Sequence, residues 1–175
     1  VETLPGNTLV LYQLVEKHGE ILYNMMKEQT NKPISFIHGG ISADDREVIR
    51  MNTEKETTSI IVASYGTYST GINIQNLHNV VFASPSKSRI RNLQSIGRGL
   101  RKAEGKDNMR LFDIADDLKC NNYTLAHLKE RINIYNEENF PYLVKIFDSE
   151  KHGYQKLKLK VFEIDYKKFH EMMSG

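Results

Sequence analysis

The sequence predicts an α/β protein whose mostly parallel sheet is covered by helices on both faces. Short apolar segments rich in Val, Ile and Leu alternate with longer segments of helical period. Strands that are apolar throughout are typical of parallel sheets buried on both faces. Strand–helix alternation indicates βαβ units, and 175 residues are enough for one such domain with a real core.

Five strands are predicted at the apolar segments Thr8–Tyr12, Ile34–Ile37, Ser59–Ala63, Asn79–Ala83 and Met109–Asp113. A helix is predicted over Gln13–Glu28, where apolar residues recur near the 3.6-residue period. Ser42 is placed to cap the next helix, because the acidic residues that follow it favour a helix N-terminus. Further helices are predicted from Pro85 onward and over Asn122–Asn136.

The pattern changes beyond Asn139, so we predict a main α/β domain over residues 1–138 and a small α+β appendage over residues 139–175. Tyr142–Asp148 and Gln155–Ile164 are predicted to form a hairpin, and Asp165 to cap a short final helix. Lysines alternate with apolar residues in the second strand. That lysine face is typical of an exposed strand protected against edge-to-edge pairing, and a nucleic-acid contact is the alternative.

Composition excludes several classes of protein. No apolar run approaches the roughly 18 residues of a membrane helix. Cys120 is the only cysteine, which excludes an internal disulfide and favours an intracellular, cytoplasmic setting. The six histidines lack metal-ligand spacing, so a metal bound by this chain alone is not expected. The absence of an initiator Met leads us to expect a piece of a longer polypeptide.

The segment Asn92–Lys102 carries the clearest functional pattern. Gln94, Arg98 and Arg101 are spaced i, i+4 and i+7, so they share one helix face, while apolar residues such as Ile96 fall on the other. From Lys87 to Arg110 there are eight Lys or Arg and two acidic residues, a local net charge of +6 in a chain of net charge +2. A concentrated basic patch indicates a polyanionic ligand, although a solvated basic face would explain the helix alone equally well.

Three other segments follow predicted strands and are expected at the same edge of the sheet, where ligands of parallel α/β sheets bind. They are Tyr12-Gln13, His38-Gly39-Gly40 and Ala63–Asn73. The paired glycines permit tight backbone geometry near a ligand, and the last segment is dense in hydroxyls of the kind that bind phosphate. Taken singly, each is more typical of an ordinary strand-to-helix turn.

In this order, these segments resemble the second RecA-like motor domain of superfamily 2 helicases. Leu9–Gln13 resembles motif IV, His38-Gly39-Gly40 the "HGG" segment, Ile60–Ile74 motif V, and Gln94–Arg101 motif VI in its "QxxGRGxR" form. The resemblance covers residues 8–118, and over the full length it is greatest to members that act on branched DNA in recombination and repair. Two positions depart from the family pattern: Asn73 stands where Asp is common, and Ser95 where many members have Arg.

The resemblance implies that the chain is part of an ATP-dependent DNA helicase. It also implies which residues act in catalysis, face ATP or contact nucleic acid. Gln94, Arg98 and Arg101 are the expected catalytic residues, and together with Gly71 and Asn73 they are expected to face ATP. The expected nucleic-acid contacts are His38, Gly39, Ser64, Thr67 and Thr70.

The sequence contains no GxxxxGK[ST] phosphate loop, because Gly105-Lys106 is followed by Asp107. ATP and Mg²⁺ are therefore expected to be held mainly by a separate N-terminal RecA-like domain, and this chain alone is expected to be inactive. Asp113 ends an apolar strand as a magnesium-binding acid would, but without a phosphate loop a strand-end turn is the expected role.

Two other functions stay open at this stage. A non-catalytic nucleic-acid-binding module on a RecA-like fold would show the same basic patch. A Rossmann-type cofactor enzyme is disfavoured because no glycine-rich turn follows the first strand. The residues alone do not distinguish DNA from RNA, or unwinding from annealing or branch migration.

Overall fold

The computed structural model describes residues 1–71, 73–84, 88, 96–97, 109–116, 123–148 and 158–163. Within these ranges, one sheet contains the strands β1 (Asn7–Tyr12), β2 (Ile34–Ile37), β3 (Ile60–Ser64), β4 (Leu77–Phe82), β5 (Arg110–Asp113), β6 (Ala115–Asp116), β7 (Leu143–Asp148) and β8 (Lys158–Glu163). The strand order is β2-β3-β1-β4-β5-β8-β6, with β7 paired to β8.

The first five strands are parallel, as predicted, and β1 lies at their centre. Leu9 of β1 is in register with Ile61 of β3 on one side and with Val80 of β4 on the other. Alternate residues of the same strand enter different cores: Leu9 belongs to one apolar cluster and Val10 to the other. Both faces of the sheet are therefore buried, which explains the runs of consecutive apolar residues in its strands.

Helices cover both faces of this sheet. A wide π-type turn over Val15–Gly19 leads into α1 (Glu20–Gln29), and the other helices are α2 (Ala43–Lys55), α3 (Tyr65–Gly71) and α4 (Tyr123–Glu137). Leu22 and Met26 of α1 pack on the Val10 cluster. Ile49 of α2 and Tyr135 of α4 pack on the Leu9 cluster, on the opposite face.

Two details differ from the predicted helices. The residues after β1 do not continue directly into a helix, because Leu14 is extended and the helix proper begins at Glu20. The hydroxyl-rich segment after β3, predicted as a loop, forms helix α3. The predicted cap of α2 is confirmed, since the Ser42 hydroxyl accepts a hydrogen bond from the Asp45 amide at 3.1 Å.

The C-terminal hairpin is confirmed as an antiparallel pair of β7 and β8. It also extends the main sheet: β8 runs antiparallel to β5, with Phe112 opposite Glu163, and to β6, with Ala115 opposite Lys160. The turn over 149–153 and the helix after Asp165 lie outside the described residues. The domain boundary at residue 138 and the role of the lysine face remain predictions. No helix in the described ranges is both long and apolar enough to cross a bilayer.

Candidate nucleotide and nucleic-acid interface

The carboxyl edge of the parallel sheet brings the sequence-predicted segments together. Register places Ile37 of β2 beside Ala63 of β3, and Ser64 beside Tyr12 of β1. His38, which follows β2, and α3, which follows β3, therefore leave adjacent strands at the same edge. Ser84 follows β4 at this edge as well, and it directly precedes residues 85–102, the arginine segment, which is predicted to contain a helix.

His38 organises its own turn. Its Nδ1 accepts a hydrogen bond from the Gly40 amide at 3.1 Å, and its ring lies 5.2 Å from that of Phe36. Among the described residues only Gly6 is a glycine with positive φ, so neither Gly39 nor Gly40 is required by a left-handed backbone. That this pair permits tight backbone geometry near a ligand remains a prediction. A Cβ at Gly39 would meet nothing within 4 Å, whereas at Gly40 it would lie 3.0 Å from the His38 ring.

The hydroxyls at the start of α3 are used within the protein. The Ser64 and Thr67 hydroxyls lie 2.8 Å apart, and the Thr67 amide donates to the Ser64 hydroxyl at 3.2 Å. Ser64 is 9% exposed and Thr67 6%. The Ser64 hydroxyl therefore caps the N-terminus of α3 and the Thr67 hydroxyl is bonded to that cap, whereas Gly66 and Asn73 are exposed. The roles of Ser64, Thr67, Thr70, Gly71 and Asn73 toward DNA or ATP remain predictions.

The proposed catalytic residues Gln94, Arg98 and Arg101 lie outside the described residues. Their neighbours Ile96 and Gly97 are helical. Ile96 is 2% exposed and belongs to the Leu9 cluster, which confirms the predicted apolar face at this position. Gly97 is exposed, and a Cβ there would meet none of the described atoms within 4 Å. Close packing against the described part of the protein is therefore not what requires glycine here.

Asp113, predicted to be a strand-end turn residue, is the centre of a buried polar cluster. Its two carboxylate oxygens accept hydrogen bonds from Nε and Nη2 of Arg131, both at 2.7 Å, and Oδ2 also accepts from the Tyr135 hydroxyl at 2.7 Å. Asp113, Arg131 and Tyr135 are all 0% exposed. The turn interpretation is wrong, and the sequence analysis missed the partners on α4. Their spacing was a usable signal, since Leu128, Arg131 and Tyr135 share one helix face.

The charges in this cluster depend on one another. Burial opposes the charged form of Arg131, but the charge and hydrogen bonds of Asp113 outweigh it, so the pKa of Arg131 is raised. Burial, together with the charge of Asp113, raises the pKa of Tyr135 well above its ordinary value. The guanidinium of Arg131 therefore keeps its charge and the hydroxyl of Tyr135 keeps its proton.

The residues present do not fit a magnesium site. Both oxygens of Asp113 are already engaged by Arg131 and Tyr135. Within the described ranges there is no group of three or more His, Cys, Asp or Glu side chains that could hold a metal ion.

Tyr12 is the last residue of β1 and lies buried at the carboxyl edge of the sheet. Its hydroxyl donates to the Ile37 carbonyl at 3.1 Å, and its side chain is 0% exposed. The ring fills the space above Gly19, where a Cβ would lie 2.5 Å from Tyr12 Cζ. Gly19 is thus required by the close approach of an aromatic ring.

We expect the buried hydroxyl of Tyr12 to make the protein less stable at alkaline pH. Burial, reinforced by the charge of Glu20, raises the pKa of Tyr12 to about 12, while an unfolded tyrosine titrates near about 10. Because the native state keeps the proton that the unfolded chain releases, this contribution is constant below about pH 10 and is lost between about pH 10 and 12. Urea unfolding at about pH 9 and 11 should show a smaller loss in Tyr12→Phe than in the wild type. An equal loss in both proteins would contradict it.

The parallel sheet, the segments at its carboxyl edge and the helical position of Ile96 define a RecA-like helicase motor domain. Residues 2–103 match the family described as helicase conserved C-terminal domain, so the chain belongs to that family. It is 34% identical over 152 residues to the ATP-dependent DNA helicase UvsW of Enterobacteria phage T4, covering 79% of this chain and 30% of the relative. The chain thus spans under a third of that relative.

Solved structures agree with this assignment. The crystal structure of T4 UvsW matches 75% of this chain and 29% of its own length, at 29% identity and a TM-score of 0.57. Domain 2 of the DEAD-box helicase Mss116p, solved with an RNA duplex, matches 62% of this chain and 41% of its own length, at 20% identity and a TM-score of 0.53. The second likeness shows the fold alone. The predicted family and fold class are confirmed, together with the resemblance to UvsW.

Proposed function

We propose that this chain is the second motor domain of an ATP-dependent DNA helicase, with branched DNA as its substrate. The observation that carries the proposal is the position of His38 and helix α3, which leave adjacent strands at one edge of the sheet. Strand β4 ends at the same edge shortly before Pro85, and in the sequence the arginine segment comes next. The 34% identity to an ATP-dependent DNA helicase supports the same assignment.

In this proposal Gln94, Arg98 and Arg101 face the γ-phosphate of ATP held by a separate P-loop domain. Arginine suits that role because its planar, permanently charged guanidinium donates two parallel hydrogen bonds to phosphate oxygens. Gln94 orients the arginines or the attacking water. ATP with Mg²⁺ supplies the phosphoryl group whose transfer drives movement. The P-loop domain holds the metal, since the described residues of this chain do not fit it.

His38, Gly39 and the α3 segment hold one DNA strand through its phosphates. The open space at Gly39 and the exposed backbone of Gly66 are suited to the close approach of a phosphate. Ser64 and Thr67 contribute by fixing the start of α3, given that their hydroxyls are bonded to each other. Such binding reads no base sequence, and its affinity falls steeply with salt concentration.

The test is DNA-stimulated ATP hydrolysis by this chain alone and by the same chain joined to its P-loop domain in the parent polypeptide. We expect no hydrolysis by the chain alone and DNA-dependent hydrolysis by the joined protein, stimulated more by forked than by linear duplex DNA. Hydrolysis by the isolated chain would contradict the two-domain proposal. DNA binding without hydrolysis in either protein would favour the non-catalytic module.

A further inference from the structure

Through hydrogen bonds, Ser84 connects the end of β4 with the turn after β1 and with the start of α3. It is 3% exposed and lies directly before Pro85, where the arginine segment begins. Its hydroxyl lies 2.7 Å from Nδ1 of His18, in the turn after β1. Its carbonyl accepts a hydrogen bond at 3.1 Å from the hydroxyl of Tyr65, the first residue of α3.

The Tyr65 bond is held in a rigid setting. Tyr65 is 2% exposed, and its ring lies 5.8 Å from that of Phe82, two residues before Ser84. Both rings share an apolar cluster with Ile96 of the arginine segment. A buried hydroxyl that lost its acceptor would be left unsatisfied, so separating Tyr65 from Ser84 is unfavourable.

The hydrogen bond from Tyr65 is accepted by the backbone carbonyl of Ser84, so it holds the main chain and not only a side chain. The residue before a proline is sterically confined to extended conformations, so Pro85 restricts how the Ser84 carbonyl can turn. A displacement of Tyr65 that keeps this hydrogen bond therefore moves the carbonyl of Ser84, the residue directly before Pro85. The hydroxyl of Ser84 is bonded independently to His18, which fixes the same residue from the β1 side.

We infer that Tyr65 and Ser84, supported by His18, are positioning residues that set the arginine segment relative to α3. This inference rests on the proposed function, because the arginines are the groups being positioned. In the working helicase the contact transmits movement of the strand-binding helix to the residues that face ATP. Loss of the contact leaves ATP and DNA binding intact and misplaces groups that act in the transition state.

The test compares Tyr65→Phe with Tyr142→Phe in the complete helicase. Tyr65→Phe removes one hydroxyl and leaves the ring against Phe82. Tyr142→Phe makes the same change at a hydroxyl that donates instead to Asn136 at 2.9 Å. We expect Tyr65→Phe to lower kcat for DNA-stimulated hydrolysis about tenfold, with KM for ATP unchanged, because an interaction that acts through the transition state affects kcat alone. Tyr142→Phe should leave both constants unchanged.

A double mutant separates positioning from general damage. In an Arg101→Ala background, Tyr65→Phe should cause a smaller further loss of kcat than it causes in the wild type, because the part of its effect that passes through the Arg101 guanidinium is already lost. Full additivity, or an unchanged kcat in Tyr65→Phe with only a lower Tm, would overturn the inference.

Amide hydrogen exchange of the segment after Pro85 provides a readout that does not need activity. It should accelerate in Tyr65→Phe and Ser84→Ala but not in Tyr142→Phe. His18→Asn keeps a polar atom near the position of Nδ1, so amide exchange in this segment should be slower in His18→Asn than in His18→Ala. Faster exchange in a protein that never hydrolyses ATP would refute the proposed function while supporting the structural link. Unchanged exchange would overturn the link itself.

Discussion

Replacing Arg131 with Met should lower the free energy of unfolding by about 3–5 kcal/mol. The substitution keeps most of the side-chain volume but leaves the Asp113 carboxylate buried without its opposite charge. The Nε and Nη2 groups of Arg131 both donate to that carboxylate at 2.7 Å, and neither side chain is exposed. Tyr135 alone cannot compensate, because a neutral hydroxyl offsets only part of the cost of a buried charge.

Arg50 offers a matched control on the surface of the same protein. It also lies on a helix and pairs with two carboxylates, those of Glu47 and Glu54, but its side chain is 25% exposed. Solvent screens such pairs, so Arg50→Met should change the stability by no more than about 1 kcal/mol. Denaturant unfolding of both variants measures the contrast.

Charge removal at Asp113 tests the explanation itself. In an Arg131→Met background, Asp113→Asn should restore part of the lost stability, because it removes the unpaired charge and keeps an acceptor for the Tyr135 hydroxyl. If Arg131→Met and Arg50→Met lowered the free energy of unfolding by the same small amount, Arg131 would not be needed to stabilise the buried Asp113 carboxylate.

The sheet could be predicted from the sequence because its physical cause is local. A parallel strand buried on both faces is apolar over consecutive positions, as β1 is at residues 9–11, β3 at residues 60–63 and β4 at residues 80–82. The helix that contains Ile96 could likewise be predicted, because its apolar residues recur at the helical period and one face must enter the core.

Helix α3 was missed because its composition conceals it. Gly66, Ser69 and Thr70 have low helix propensity, so the segment resembles a loop. The Ser64 hydroxyl caps the helix at its N-terminus, and the buried rings of Tyr65 and Tyr68 hold it to the core. Tertiary packing overrides propensity here, and only the tyrosine spacing hinted at it.

The polar contacts could not be predicted because they join residues that only the fold brings together. Asn7 is buried and donates to the carbonyls of Thr53 and Glu56 at 3.0 and 2.9 Å. Ser84 meets His18 across 66 residues of sequence. No spacing rule reaches such pairs, since the strand order decides which turns become neighbours. The motif segments could be placed at one edge because all five parallel strands end there.

Arg101→Ala should lower DNA-stimulated turnover of the complete helicase by about 10³–10⁵-fold. An arginine that meets the γ-phosphate acts on charge that develops during transfer, so its loss raises the barrier by about 4–7 kcal/mol. Stability should change little, because the predicted arginine face is opposite Ile96, the residue that enters the core. Steady-state hydrolysis at saturating DNA, with Tm measured in parallel, tests both statements.

Lys102→Ala is the control for charge, because it removes one positive charge from the neighbouring position. If the basic patch acts only as a general electrostatic surface, the two variants should lose DNA affinity and turnover alike. If Arg101 contacts the γ-phosphate as an arginine finger, turnover falls in Arg101→Ala alone, and Arg101→Lys does not restore it, because an ammonium cannot reproduce the planar two-donor contact. Near-normal turnover in Arg101→Ala would exclude the finger role, and the basic segment would then serve DNA binding alone.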